Sequence, residues 1–153
     1  MKKILSLAVV MAMTTASIAI AAPSGTFRQA HELGFGDKSS LDPIAKGRVF
    51  QIAEKIMNRL VRPGLDGKPT ADLATSWSAN ADATVWTMKL RSGVTFHDGS
   101  SFDAADVVYS LSRVLDPELG SPARSAVKMV KSVEAVDDLT VRITLDTPFA
   151  DMP

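Results

Sequence analysis

The chain has 153 residues with 17 basic and 17 acidic side chains, so its formal net charge at pH 7 is zero. Neutralising phosphates takes a basic surface, and the balanced charge therefore argues against nucleic acid as a partner. Cysteine is absent from the sequence, which excludes disulfides, thiol catalysis, zinc–cysteine sites and a lipid-modified cysteine at an export junction.

The N-terminal residues have the pattern of an export signal. Lys2 and Lys3 precede an apolar stretch, residues 4–20, and Ala19-Ile20-Ala21 supplies the small residues that a signal peptidase requires. We therefore predict a signal peptide over residues 1–21 and a soluble periplasmic product. A membrane anchor is the alternative, but the apolar stretch is shorter than the ~20 residues that a span needs.

A bend and an amphipathic helix are predicted next. Pro43 disfavours helical backbone at Asp42, so residues 39–43 should bend. Apolar residues at helical spacing predict a helix from about Arg48 to Leu60, ended by Arg62-Pro63-Gly64.

The middle of the chain combines turns with short elements. We expect a turn over residues 65–69 and one helical turn over residues 71–78. Residues 85–90 alternate apolar and polar side chains, which predicts a half-buried strand. The alternation resumes over residues 94–96 after Ser92-Gly93, as expected if the two strands form a hairpin.

A capped helix and a second hairpin complete the predicted elements. Asp98-Gly99 is a turn pair, and Asp103 lies at an N-cap position with Asp106 three residues later. The helix that follows should end at Asp116-Pro117, and a short helix is expected from Ala123 to Met129. Two alternating stretches, residues 133–136 and 139–145, predict a hairpin. The predicted fold class is α+β with a small, mainly antiparallel sheet.

Catalytic and metal sites are not indicated. His97 beside Asp98 could form a base with its orienting carboxylate, but the second histidine, His31, is remote in sequence and a structural turn is the favoured interpretation. No serine lies in a Gly-x-Ser-x-Gly turn. We predict no enzyme activity, metal or cofactor, with a secreted hydrolase as the alternative.

The stretch LRSGVTFHDGSSFDAADVVYSLSRVLDP, residues 90–117, resembles the N-terminal portion of the peptide/nickel family of extracytoplasmic solute-binding proteins, the receptors of ABC importers. The resemblance extends over roughly residues 39–150. It is carried by SSLDP (39–43), LVRPGLDGKPTADLATSWS (60–78), SPA (121–123) and SVEAVDDLTVRITLDTPFA (132–150).

The resemblance implies the N-terminal part of lobe I of a two-lobed periplasmic-binding-protein fold. Residues 22–58 would start lobe I and residues 59–153 would form its β-rich outer subdomain, with the second lobe outside this sequence. In the family, a monomeric receptor captures a small solute, such as a peptide, by hinge closure and docks on an ABC permease. The alternative is a truncated remnant that binds nothing.

Two stretches resemble segments that border the ligand cleft in this family, one after the predicted bend and one after the capped helix. Backbone groups after the bend pair with an extended peptide as an added strand does, and arginine suits carboxylate ligands. Solvated surface charges are the alternative for each basic residue. The implied ligand contacts are Lys46, Gly47, Arg48, Val49, Ser121, Ala123 and Arg124.

Overall fold

The computed structural model describes Thr26, residues 42–44 and residues 50–152. The chain divides into two compact units, Met1–Glu32 and Leu33–Pro153, and every helix and strand given below belongs to the second. The predicted signal peptide lies outside the described residues. Within the described ranges, no helix has the length and apolar character needed to cross a membrane.

The described residues form an α+β structure in which all paired strands are antiparallel. Strands β1 and β2 form a short hairpin, and the remaining four strands form a sheet in the order β3-β4-β6-β5. The elements in chain order are α1 (Phe50–Ile56), β1 (Val61–Pro63), β2 (Pro69–Ala71), β3 (Ala74–Ala79), β4 (Val85–Leu90), α2 (Ala104–Leu115), a 3₁₀ helix (Arg124–Val127), β5 (Val130–Asp137) and β6 (Thr140–Leu145).

The hydrophobic core lies between one face of the four-stranded sheet and α2. Every second side chain of β4 is buried, and Trp86 and Met88 lie opposite Ile143 and Val141 of β6. Helix α2 contributes buried Val107 to the same cluster. The period-two prediction for residues 85–90 is therefore confirmed, because alternate residues of a strand point to the same face of a sheet.

Helix α2 begins as predicted, with a capping box. The Asp103 carboxylate accepts a hydrogen bond from the backbone N–H of Ala105 at 2.7 Å, and the Asp106 carboxylate accepts from the backbone N–H of Asp103 at 2.9 Å. The backbone N–H of Ala104 donates to the carbonyl of Asp138 at 2.9 Å, which joins the start of the helix to the β5–β6 turn. That turn and its two strands confirm the predicted C-terminal hairpin.

The helical turn predicted over residues 71–78 is wrong. Residues 74–79 form β3, an edge strand paired with β4 from Ala74 opposite Leu90 to Ala79 opposite Trp86. The local sequence is compatible with either structure, and pairing with β4 satisfies the backbone groups that a single helical turn would leave without partners.

The strand predicted over residues 94–96 does not pair with β4. Both edges of β4 are already occupied, by β3 on one side and β6 on the other. Residues 94–102 fold back on themselves instead, with Thr95 bridged to Ser101 and the N–H of Phe102 donating to the carbonyl of Val94 at 3.0 Å. Gly99 closes this turn at a φ of +88°, a conformation that favours glycine.

The first helix ends at Ile56, four residues earlier than predicted, and residues 61–63 form β1. The N–H of Met57 still donates to the carbonyl of Ala53, but the backbone groups of Arg59 and Leu60 have partners elsewhere. The N–H of Arg59 donates to the Asp72 carboxylate at 2.9 Å, and the carbonyl of Leu60 accepts from the N–H of Ala74 at 2.9 Å. The short helix expected from Ala123 is a 3₁₀ helix of four residues, Arg124–Val127.

Candidate functional site

The predicted bend, residues 42–44, directly precedes in sequence the stretch predicted to border the cleft. The Asp42 carboxylate accepts a hydrogen bond from the backbone N–H of Ile44 at 3.0 Å, across the intervening proline. All three residues are half-buried. The bend therefore has local support from the aspartate side chain, as turn-forming aspartates commonly provide.

Helix α2 holds the same bend from a distance. Nη2 of Arg113 donates to Oδ2 of Asp42, forming an ion pair whose side chains are 31% and 25% exposed. The Arg113 guanidinium carbon also lies 5.9 Å from the centre of the Tyr109 ring, within the range of a cation–π contact. The hydrogen bond with Asp42 raises the pKa of Arg113 above its usual value. Sequence reasoning missed this pair, because 71 residues separate its members.

Ser121 also contacts the bend. Its hydroxyl donates to the carbonyl of Ile44 at 2.6 Å and accepts from the backbone N–H of Ala123 at 3.3 Å. The residue is 6% exposed, and both hydrogen bonds satisfy a hydroxyl that burial would otherwise make unfavourable. The structure thus brings the predicted bend into direct contact with the Ser121 loop, one of the two stretches predicted to border the cleft.

Arg124 lies at the start of the 3₁₀ helix, on the exposed surface. Its Nε donates to the carbonyl of Leu115 at 3.0 Å, and its backbone N–H donates to the carbonyl of Ser121 at 3.1 Å. The side chain therefore helps to satisfy the C-terminal end of α2, a position that favours cations. Residues 45–49, which include the predicted contacts Lys46 to Val49, lie outside the described residues.

A second polar cluster, which sequence reasoning missed, surrounds Asp72. This carboxylate is 3% exposed and accepts hydrogen bonds from Nδ2 of Asn58 at 2.9 Å, the backbone N–H of Arg59 at 2.9 Å and Nε of Arg62 at 2.8 Å. Burial alone would raise the pKa of Asp72, but the hydrogen bonds, led by that from Arg62, outweigh it and hold the pKa below its ordinary value.

An open cleft of ≈ 260 Å³ adjoins this cluster. Its charged lining is largely committed to internal pairs, since Glu54 pairs with Arg59 and Asp72 with Arg62. The Asp72 cluster therefore has a structural role, because its hydrogen bonds connect the segment after α1 to the β1–β2 hairpin. The cleft is lined by Glu54, Lys55, Met57, Arg59, Arg62, Pro63 and Asp72.

The His97–Asp98 pair is divided between two structural contacts. Nε2 of His97 lies 2.9 Å from the carbonyl of Ile56, at the end of α1. The Asp98 carboxylate accepts from the hydroxyl and backbone N–H of Ser100, hydrogen bonds that lower the pKa of Asp98. Over the described ranges, no three histidine, aspartate or glutamate side chains are close enough together to hold a metal ion.

Comparison with known proteins assigns the family. Residues 68–153, more than half of the chain, match the family model “Bacterial extracellular solute-binding proteins, family 5 Middle”. The chain belongs to this family. The family-5 match confirms the resemblance found in the sequence, and the two-lobed periplasmic binding proteins among the structural neighbours confirm the fold class, a part of lobe I built as α+β with antiparallel strands.

Three relatives illustrate the similarity. The glutathione-binding protein GsiB of Pectobacterium atrosepticum is 41% identical over 114 residues, 73% of this chain and 22% of the relative. The periplasmic oligopeptide-binding protein OppA of Escherichia coli is 28% identical over 172 aligned positions, 96% of this chain and 32% of the relative. The binding protein AgaA of A. tumefaciens, solved with agropinic acid, is 37% identical with a TM-score of 0.65 over 76% of this chain and 24% of AgaA. The family-5 chain described here thus spans about a fifth to a third of the length of these relatives.

Proposed function

We propose that this chain is the N-terminal part of a periplasmic solute receptor that delivers its ligand to an ABC importer. The family match over residues 68–153 is the observation that carries the proposal. The relatives support it, because their names describe a glutathione-binding protein and a periplasmic oligopeptide-binding protein. The proposed role makes and breaks no bond: ligand is held between two lobes by hinge closure, and the closed monomer docks on the permease.

The proposed ligand is a peptide or a solute of similar chemistry, bound at the border formed by residues 46–49 and the Ser121 loop. Backbone groups of Gly47 and Val49 would pair with an extended ligand, as an added strand does. Lys46, Arg48 and Arg124 would meet carboxylates of the ligand. Nε of Arg124 donates a hydrogen bond to the carbonyl of Leu115, so Arg124 would contact a ligand through its two Nη groups.

The division of the chain is part of the same proposal. Export follows from a cleavable signal peptide over residues 1–21 that leaves a periplasmic product without a lipid anchor. Residues 22–58 start lobe I, and residues 59–153 form its outer subdomain. A single lobe buries too little of a small ligand for tight binding, so the function requires a second lobe.

The test begins with the mature protein purified from the periplasm of the source bacterium, at the length that the cell makes. Its intact mass and N-terminal residue test the signal peptide and the chain length together. Isothermal titration then uses reduced glutathione, trialanine, agropinic acid and the nickel–histidine complex as probes. We expect saturable binding of one probe at a 1:1 ratio, and weaker binding by Arg124→Gln.

The control for that titration is Arg142→Gln, which removes an exposed arginine from β6 and should leave the affinity unchanged. A protein of about the mass of residues 22–153 that shows no saturable heat with any probe would contradict the receptor function and favour a non-binding remnant. Product formation from trialanine that is lost in His97→Ala would instead indicate a hydrolase.

A further inference from the structure

The bend at residues 42–44 is held from both of its ends by side chains that are distant in sequence. At its start, the Asp42 carboxylate accepts from Nη2 of Arg113 on α2 and from the N–H of Ile44. At its end, the carbonyl of Ile44 accepts from the Ser121 hydroxyl at 2.6 Å. These contacts cross 71 and 77 sequence positions, so they fix the bend to the body of the fold rather than merely shape it locally.

The two side chains that hold the bend are themselves immobilised. Ser121 is buried, and its hydroxyl also accepts from the N–H of Ala123. Arg113 lies in the last turn of α2, with its guanidinium against the Tyr109 ring. The Ser121 loop is joined to the end of the same helix by Arg124, which donates to the carbonyl of Leu115.

We propose that Arg113 and Ser121 are positioning residues for ligand binding. Neither is assigned a ligand contact in this role. They hold the Asp42–Ile44 bend, from which the chain continues in sequence to residues 46–49, the stretch with the proposed backbone pairing to ligand. A site whose supporting contacts are pre-formed binds more tightly, because less freedom is lost when the ligand arrives. This inference rests on the proposed function, and it changes the predicted role of Ser121 from a contact to a support.

The test compares Ser121→Ala and Arg113→Gln with wild type in two measurements on the mature protein. Hydrogen exchange followed by NMR measures the opening rate at the Ile44 amide, which donates to Asp42. Titration measures Kd for whichever probe the wild-type protein binds: glutathione, trialanine, agropinic acid or nickel–histidine. We expect each variant to speed hydrogen exchange of the Ile44 amide at least fivefold and to raise Kd roughly tenfold. The amides of β4 and β6 should exchange in each variant at the same rates as in wild type. Ser121→Thr keeps the donor and should restore both readings to within about threefold of wild type.

Arg142→Gln is the matched control for Arg113→Gln, because it removes an arginine that pairs with Glu134 on the far side of the sheet. It should leave both readings unchanged. Wild-type exchange of the Ile44 amide in both test variants would overturn the inference, as would faster exchange with an unaltered Kd. If the wild-type protein has about the mass of residues 22–153 and binds no probe, the proposed function fails and the inference fails with it, whereas wild-type binding with an unaltered Kd in both variants overturns the inference alone.

Discussion

Asp72 shows how one buried carboxylate can join several short elements. It lies between β2 and β3, and its three hydrogen-bond donors come from the segment after α1 and from β1. Arg62, the cationic partner, is 60% exposed and keeps contact with water. Because Arg62 stays exposed, it loses little hydration when it pairs with the buried anion. The net contribution of the cluster to stability therefore comes mainly from the charge-assisted hydrogen bonds to Asp72.

We expect Asp72→Asn to lower the free energy of unfolding at pH 7 by about 2 kcal/mol, because the donors lose a charged acceptor. The pKa of Asp72 is depressed in the folded state, so its stabilisation is complete above the unfolded pKa of about 3.9 and is lost as pH falls through the lower folded pKa. Thermal unfolding should therefore separate wild type from variant at pH 7, and the gap in melting temperature should narrow progressively as the pH falls below about 3.9.

Asp66→Asn is the control for that measurement, since Asp66 is an exposed carboxylate of the same hairpin that accepts from the N–H of Lys68. It should change the melting temperature at pH 7 by less than about 2 °C. A gap between wild type and Asp72→Asn that stays constant from pH 7 down to pH 3 would show that the charge of Asp72 contributes nothing.

At the scale of elements, α2 forms where local sequence and tertiary contacts agree. The capping box satisfies N–H groups at the start of the helix, and one face carries Val107 and Val114 into the buried interior. Both signals are local, so both could be recognised in the sequence. Strand β3 is the opposite case, since only the neighbouring strand β4 decides its structure.

Asp103→Ala is expected to destabilise the protein by about 1 kcal/mol, because it removes the side-chain acceptor at the N-cap. Asp103→Ser retains a capping oxygen and should lie within about 0.5 kcal/mol of wild type. Urea unfolding followed by circular dichroism measures both variants. Equal losses for alanine and serine would mean that packing around residue 103, rather than capping, supports the helix.

At the scale of the whole molecule, the described residues combine one well-supported sheet with a small hairpin. Strands β4 and β6 have partners on both sides, and they carry six of the twelve buried apolar side chains among the described residues. Strands β1 and β2 have three residues each, none of them buried. The Asp72 hydrogen bonds and two backbone hydrogen bonds, from Leu73 to Arg59 and from Ala74 to Leu60, join the hairpin and its flanks to the rest of the fold. Elements with little buried surface open at a lower free energy than the core.

Native-state hydrogen exchange should resolve this difference. We expect the hydrogen-bonded amides of β4 and β6 to exchange slowest, and those of β1 and β2 to exchange faster by on the order of 100-fold or more. In Asp72→Asn the β1 and β2 amides should exchange faster still. The exchange rates of the β4 and β6 amides should rise only by the amount that the lower free energy of unfolding predicts. Equal rates in the hairpin and the sheet of wild type would show that both open only in global unfolding.

Only part of the candidate site could be predicted from the sequence. The resemblance to the solute-binding family indicated Ser121 and Arg124, whereas Arg113 was not indicated, because its partner Asp42 lies 71 residues away and no local pattern connects them. The Asp72 cluster was missed for the same reason, since its donors lie 10 to 14 residues before it across a hairpin. Residues 46–49 stay a prediction.

The amino-acid sequence by itself determined the family, the α+β class, the cap of α2 and the alternation of β4, since these depend on residue order and on periodicities within one element. The tertiary structure alone decided that residues 74–79 are a strand, that β4 pairs with β6, and that Ser121 donates to Ile44. Backbone hydrogen bonds of an isolated short segment can be satisfied in more than one way, and partners distant in the chain determine which way is used.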